Sequence, residues 1–188
     1  MAQLAQTITT ARLVLRRPRL EDLDDLAEIF GRAEITRYLY WEPRDREETL
    51  EVLRSRVDRS DELSEENNIN VVIERRDRPG VIGDFMLWWK ADEHRQGEMG
   101  GTLHPDVHGQ GFATEIYGAL LTLAFRQYDL HRVVGRCDAR NTASIRSLEK
   151  AGLHQEAHLV ENEFVKGEWT DEVVMAIRRS EWEEMATG

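Results

Sequence analysis

Two glycines, Gly109 and Gly111, stand between a strand-like run and a long helical pattern in "HPDVHGQGFATEIYGALLTLAF", His104 to Phe125, and this stretch limits the fold most strongly. A strand must end there, the backbone must turn, and a helix must begin. Ala113, Ile116, Tyr117, Leu120, Leu121 and Ala124 then recur at i, i+3, i+4 and i+7, one apolar face of a helix. A loop bare of side chains at two positions can aim backbone N–H groups at one point, and the helix dipole adds partial positive charge. Such a place attracts a phosphate. A Walker A loop is excluded, because Gly111 is followed by Phe112 and Ala113 rather than Lys and Ser or Thr. A dinucleotide loop fits poorly, since Thr114 stands where its third glycine should be. Taken alone, the glycines mark an anion site or a turn without chemical meaning about equally well.

The flanking chain narrows the architecture. "TARLVLRRP" alternates Leu13 and Leu15 with polar neighbours and predicts a strand ended by Pro18. Leu20, Leu23, Leu26, Ala27 and Phe30 then form a helical stripe. An aromatic turn, "RYLYWEP", leads to a charged helix from about Arg46 to Leu63. "INVVIERRDRPGVIGDFMLWWK" predicts a hairpin of Ile69 to Arg75 and Val81 to Lys90 around a Pro-Gly turn. "MGGTLHP" is a further strand into the glycine loop. "HRVVGRCDA" is a strand, "NTASIRSLEKAG" a helix capped by Asn141 with Gly152 past its end, and two strands close the chain around Lys166-Gly167. The predicted order is β-α-α-β-β-β-α-β-α-β-β. This is a mixed α/β fold with an antiparallel centre.

At 188 residues, 40% hydrophobic and 32% charged, the chain suits one domain, 1–188, with its core at about 10–182. A net charge of -11 disfavours nucleic-acid phosphates and suits a cationic or amine partner. Much of that charge lies in Glu42 to Asn67, which reads more simply as a solvated helix face and loop. No apolar run approaches the roughly 20 residues that cross a bilayer, and the start lacks a signal-peptide pattern. The expectation is a cytoplasmic protein without a membrane partner, with room for a homodimer. The single cysteine, Cys137, suits a reducing compartment and a packing role. No ligand set suggests a metal.

The strand, "HGQGFATE" and its helix, followed by a strand and "NTASIRSLEKAGL", resemble the pyrophosphate loop and following motif of the GNAT superfamily of acyl-CoA-dependent N-acetyltransferases. Together with "TARLVLRRPRLEDLDDL" and "KGEWTDEVVMAIRRSEW", they resemble the branch of ribosomal-protein N-terminal (alanine/serine) acetyltransferases and spermidine acetyltransferases, over roughly Thr10 to Trp182. The resemblance implies a GNAT-like acyl-CoA N-acyltransferase fold with splayed central strands and pantetheine between them like an extra strand. It implies acetyl-CoA as cosubstrate. Backbone near Leu103 would hold the pantetheine, and His108, Gly109, Gln110, Gly111, Phe112, Ala113 and Thr114 would hold the pyrophosphate, with Asn141 and Ser144 completing the coenzyme site. Asp106 departs from the family's Gln or Arg at the first position of the loop motif. Glu115, an ordinary first-turn acid, receives no catalytic role.

Acetyl transfer needs a neutral amine, a polarised carbonyl and a proton for the departing thiolate. An α-amine, titrating near ~8, requires less help than a side-chain amine near ~10.4. The resemblance implies Glu98 as general base, against the plainer reading of a solvated strand-end acid. It also implies that a tyrosine expected as proton donor is replaced by Leu148, and that Ser144, one helical turn earlier, serves instead. Ser144 bonding its own backbone is nearly as good a reading. His104 and His108 are secondary candidates for proton carriers, against the commoner structural role of a histidine beside a loop. Trp41, Asp84 and Trp88 are candidates for the acceptor pocket, with Glu42 a second attractor for a cation. Core packing is the better account for two of Trp41, Trp88 and Trp89. The function implied is acetyl transfer to a primary amine, on a protein N-terminus, a polyamine or an amine antibiotic. The alternative is a non-catalytic acyl-CoA-binding module, motivated by Leu148.

Overall fold

The computed structural model describes residues 7–58, 66–90 and 93–187. Among the described residues eight strands form one sheet: β1 (Ile8–Thr9), β2 (Leu13–Arg16), β3 (Glu66–Arg75), β4 (Arg78–Lys90), β5 (Gln96–Leu103), β6 (Arg132–Asp138), β7 (His154–Val165) and β8 (Glu168–Arg178). Their spatial order is β1-β2-β3-β4-β5-β6-β8-β7. The helices are α1 (Leu23–Phe30), α2 (Ala33–Thr36), α3 (Arg46–Asp58), α4 (Phe112–Thr122), α5 (Thr142–Lys150) and α6 (Arg179–Thr187).

Side-chain alternation divides the sheet into two apolar faces. Val71, Ile73, Phe85, Leu87, Met99, Val133 and Met175 face the helices α4 and α5, where they bury Ile116, Leu120, Leu121 and Leu148. Val72 and Val81 face α1 and α3 and bury Leu26, Ile29, Phe30 and Leu53. At about 25 cal/mol per Å² of apolar surface, these two packed layers supply the main driving force for folding.

The feature that positions the site is a break in the sheet. β5 and β6 run parallel and pair only at Gln96–Arg132, Gly97–Val133 and Glu98–Val134. From Met99 on, β5 stays bonded to β4 as far as Leu103, while β6 follows β8 from Arg132 to Asp138. The expected splay of central strands is therefore present, between β5 and β6.

Several local expectations need correction. The chain contains β1, α2 and α6 beyond the predicted order. Leu20 is not on the core stripe but 47% exposed in a 3₁₀ turn, and α1 begins at Leu23. There Asp22, only 6% exposed, accepts from Arg16 and from the Arg19 backbone, so an ion pair sets this entry. The charged helix is described over Arg46–Asp58, and residues 59–63 of that expectation lie outside the described residues. The β3–β4 turn is at Arg76-Asp77. Pro79 and Gly80 lie within β4, where Arg75 pairs with Arg78 but Glu74 pairs with Val81. Gly80 takes φ +104° at this bulge, a conformation that side chains resist. Lys166 and Gly167 both have positive φ, as a two-residue hairpin turn of the primed type requires.

Candidate active site

Gly109 and Gly111 have φ +74° and +78°, so both occupy the left-handed region that favours glycine. A Cβ on Gly109 would meet nothing within 4 Å, so open space lies before the loop. The first N–H groups of α4 start there without a side-chain cap from Gly111. This cradle suits a phosphate group.

The loop is braced from the turn between β1 and β2. Arg12 Nη1 donates to the Gln110 carbonyl at 2.8 Å, and Arg12 Nε donates to Glu115 at 2.7 Å. Glu115 also accepts from Thr10 Oγ1 at 2.5 Å and from the Arg12 backbone at 2.9 Å. Burial opposes ionisation of Glu115, but these hydrogen bonds prevail and hold its carboxyl below the usual range. The Arg12 guanidinium lies 4.4 Å from the Phe112 ring centre.

A groove of about 500 Å³ runs from this loop along α4 and α5, lined by Leu103, His108, Gly109, Gly111, Phe112, Ala113, Thr114, Asn141 and Ser144 among others. Gln110 is not in its lining. Its amide is turned back to the Asp106 carbonyl at 3.0 Å. His108 Nε2–H donates to the Leu103 carbonyl at 2.9 Å, so that imidazole holds the loop. His104 accepts from the Asp106 backbone and faces Glu28 at 3.2 Å, a structural bridge. Asn141 caps α5, its side chain accepting from the Ser144 N–H at 3.2 Å.

A second cavity, about 260 Å³, opens on the α1–α3 face and reaches through the gap between β5 and β6. The two cavities share Tyr38, Leu39, Gly101, Thr102, Tyr117, Asn141 and Ser144. Six acids, Asp84, Glu98, Asp138, Glu163, Asp171 and Glu172, line the second cavity against two bases, Arg56 and Arg136. Trp41 lines it while packing edge-on against Phe30 at 5.3 Å. Asp84 lines it too, but Arg56 holds it at 2.5 Å. Burial pushes the Asp84 carboxyl above its ordinary range despite Arg56 and Arg44. Trp88 is not brought into either cavity; it is the cross-strand neighbour of Glu98. Trp89 belongs to the core beside Tyr128 at 4.5 Å. Glu42 is exposed and pairs with Lys166 at 3.5 Å.

Glu98 lies 3.4 Å from Arg136, which pairs in turn with Glu172 at 2.9 Å. Burial raises the Glu98 carboxyl, Arg136 partly offsets this, and Glu172 adds to it. Ser144 and Leu148 both line the cavity, with Leu148 only 1% exposed and packed onto Gly135. The Thr102 hydroxyl, where the cavities meet, is buried without a hydrogen-bond partner.

These geometries agree with comparisons to known proteins. Residues 12–154 match the family model described as an acetyltransferase (GNAT) domain. The chain belongs to the GNAT acetyltransferase family. Over 171 residues it is 30% identical to the uncharacterized N-acetyltransferase YoaA of Bacillus subtilis, covering 90% of this chain and 95% of that one. It is 25% identical over 172 residues to spermidine N(1)-acetyltransferase of Vibrio cholerae, covering 92% and 96%. A crystal structure of spermidine N-acetyltransferase from Vibrio cholerae in complex with CoA and spermine shares the fold, with TM-score 0.77, 24% identity and coverage of 93% and 99%. As a GNAT member the chain is an N-acetyltransferase that uses acetyl-CoA, which decides against a non-catalytic module. Among the described residues no group of three or more His, Cys, Asp or Glu is placed to hold a metal, and no helix is long and apolar enough to cross a membrane.

Sequence reasoning missed Arg12, Tyr38, Leu39, Tyr117, Arg136, Glu163 and Glu172. Glu172 had a signal: an acid at the start of the apolar run "VVMAI", on the same face as Val174 and Ala176. Tyr117 had none, because its position fits the apolar stripe of α4.

Proposed function

We propose that this GNAT enzyme acetylates a primary amine of a small, multiply charged amine of the polyamine class. The observation that carries the reading is the acid-rich, aromatic cavity that meets the glycine-loop groove through the gap in the sheet. Six carboxylates against two guanidiniums favour a cation by Coulomb attraction in a partly desolvated space. The sequence kinship with a spermidine N(1)-acetyltransferase supports the same class.

Backbone N–H groups from Gly109 to Thr114 hold the pyrophosphate, the His108 N–H being spent on the Pro105 carbonyl at 3.0 Å, and the inner edge of β5 that β6 leaves unpaired takes the pantetheine amides. The coenzyme supplies an acetyl thioester. Glu98 takes the proton of the incoming ammonium, directly or through water, and its raised affinity for protons brings it closer to the amine's own. Ser144 faces the departing sulfur and donates a hydrogen bond to the developing thiolate.

Incubating the protein with acetyl-CoA and spermidine, spermine, an aminoglycoside or peptides with free N-termini, while following thiol release, tests the reading. Polyamine-dependent release with kcat/KM at least about tenfold above the peptides is expected, a gap of roughly 1.4 kcal/mol. A preference for the peptides would overturn the acceptor assignment.

A further inference from the structure

The acids of the second cavity each have a partner, but two of them share one. Asp84 is held by Arg56 at 2.5 Å, Asp138 by Arg140 at 2.6 Å, and Asp171 faces His158 at 2.8 Å. Glu163 accepts from the Asn162 amide at 3.2 Å. Arg136 stands between the remaining two, 3.4 Å from Glu98 and 2.9 Å from Glu172. The Tyr40 phenol and the Cys137 thiol, which line the same cavity, are uncharged near neutral pH.

The backbone explains the sharing. Glu98 pairs with Val134 at the last rung that joins β5 and β6, and Arg136, two residues further along β6, falls on the same face just past the parting. On its other side Arg136 pairs with Val174, which puts Glu172, two residues back along β8, on that face too. Glu172 is the buried member, 3% exposed, and the Asn162 amide donates to its Oε2 at 3.2 Å. A carboxylate removed from water is costly to leave without its cation, so Glu172 is the anchor. The guanidinium is fixed there and reaches back towards β5.

We infer that Arg136 is a positioning residue for the base, anchored by Glu172 and shared with Glu98 across the parting of the strands, so that the charge on Glu98 is governed from β6 and β8. The inference rests on the proposed reading that Glu98 takes the proton of the incoming ammonium. Two carboxylates and one guanidinium leave one negative charge over for that ammonium. Burial pushes the Glu98 carboxyl up, the guanidinium draws it back, and Glu172 pushes it up again. Arg136 thus widens the pH range in which Glu98 is free to accept a proton.

Because Arg136 and Glu172 carry opposite charges, their removal should act on Glu98 in opposite directions. kcat/KM for the polyamine is followed across a pH series at saturating acetyl-CoA for the unchanged protein, Glu98→Gln, Arg136→Gln, Arg136→Lys and Glu172→Gln, with Tm read for all. Arg136→Gln should move the acid-side fall of kcat/KM to higher pH by about one unit, the lower end of what one nearby opposite charge does to a carboxyl. Glu172→Gln, which removes a negative charge and keeps the side chain's shape, should move it to lower pH. Arg136→Lys, which keeps a cation, should recover most of the displacement. Partners that served packing alone would lower Tm without these opposed movements. Where Glu98→Gln abolishes the fall, a fall that stays in place or moves the same way in Arg136→Gln and Glu172→Gln would overturn this inference alone. A fall that survives Glu98→Gln would overturn both it and the reading beneath it. Glu172→Gln decides the direction even where Arg136→Gln loses its fold.

Discussion

Glu98 sits where the sheet still holds together, paired with Val134 one residue before the strands part. Its carboxyl is lifted by burial against the pull of Arg136, so it stays protonated to a higher pH than the ordinary carboxylate near ~4.3. A base must be deprotonated to act. The sign follows: kcat/KM rises with pH through that raised value and falls below it. Glu98→Gln should abolish this acid limb and lower kcat/KM about a hundredfold, the usual share of a positioned base. Persistence of the limb in the variant, measured across a pH series at saturating acetyl-CoA, would move the base elsewhere. At this scale sequence is least informative. Residue type and face are readable, yet the partners that tune a group, Arg136 on β6 and Glu172 on β8, arrive from far along the chain.

Between elements, the contact that bears most directly on the proposed coenzyme cradle is the brace from the turn before β2 to the glycine loop. Arg12 holds the Gln110 carbonyl and Glu115 while lying on the Phe112 ring, so three successive parts of the loop and helix share one anchor. Arg12→Ala should raise KM for acetyl-CoA several-fold while changing kcat little, because it loosens a cradle remote from the chemistry. An equal fall in kcat would instead tie the brace to the reacting atoms. Regular elements were legible because periodicity records which face is buried. The stripe of α4, the Asn141 cap and the hairpin around Lys166-Gly167 all come from local rules. What local rules misplaced was the β3–β4 turn, where Pro79 and Gly80 serve a bulge instead, and the start of α1, where the Arg16–Asp22 pair overrides the leucine pattern. The brace itself was unreadable, since it joins residues 103 apart in sequence. Glu115 looked like first-turn dipole complementation.

Across the molecule, the gap between β5 and β6 is a window that joins two faces a continuous sheet would separate. Glu98 and Asp84 reach the opening from the α1–α3 side, while Ser144 and Tyr117, carried by α5 and α4, border both cavities together with Gly101 and Thr102. On the proposed reading, the proton acceptor and the leaving-group donor enter one cavity from opposite faces of the sheet. The hairpin of β7 and β8 spans the same opening, with Lys166 Nζ donating to the Thr36 carbonyl at 2.8 Å. A ligand bound only by the folded state adds about 2.7 kcal/mol of stability at a hundred times its Kd. CoA should therefore raise Tm, and amide exchange should slow most along β5 beyond Met99. A Tm gain with no protection there would mean that the ligand sits outside the gap. On the proposed reading, the polypeptide is one strand short of a finished sheet, and a metabolite supplies that strand. The amount of folded enzyme would then follow the acyl-coenzyme supply, so that a starved cell keeps fewer intact copies as well as idle ones.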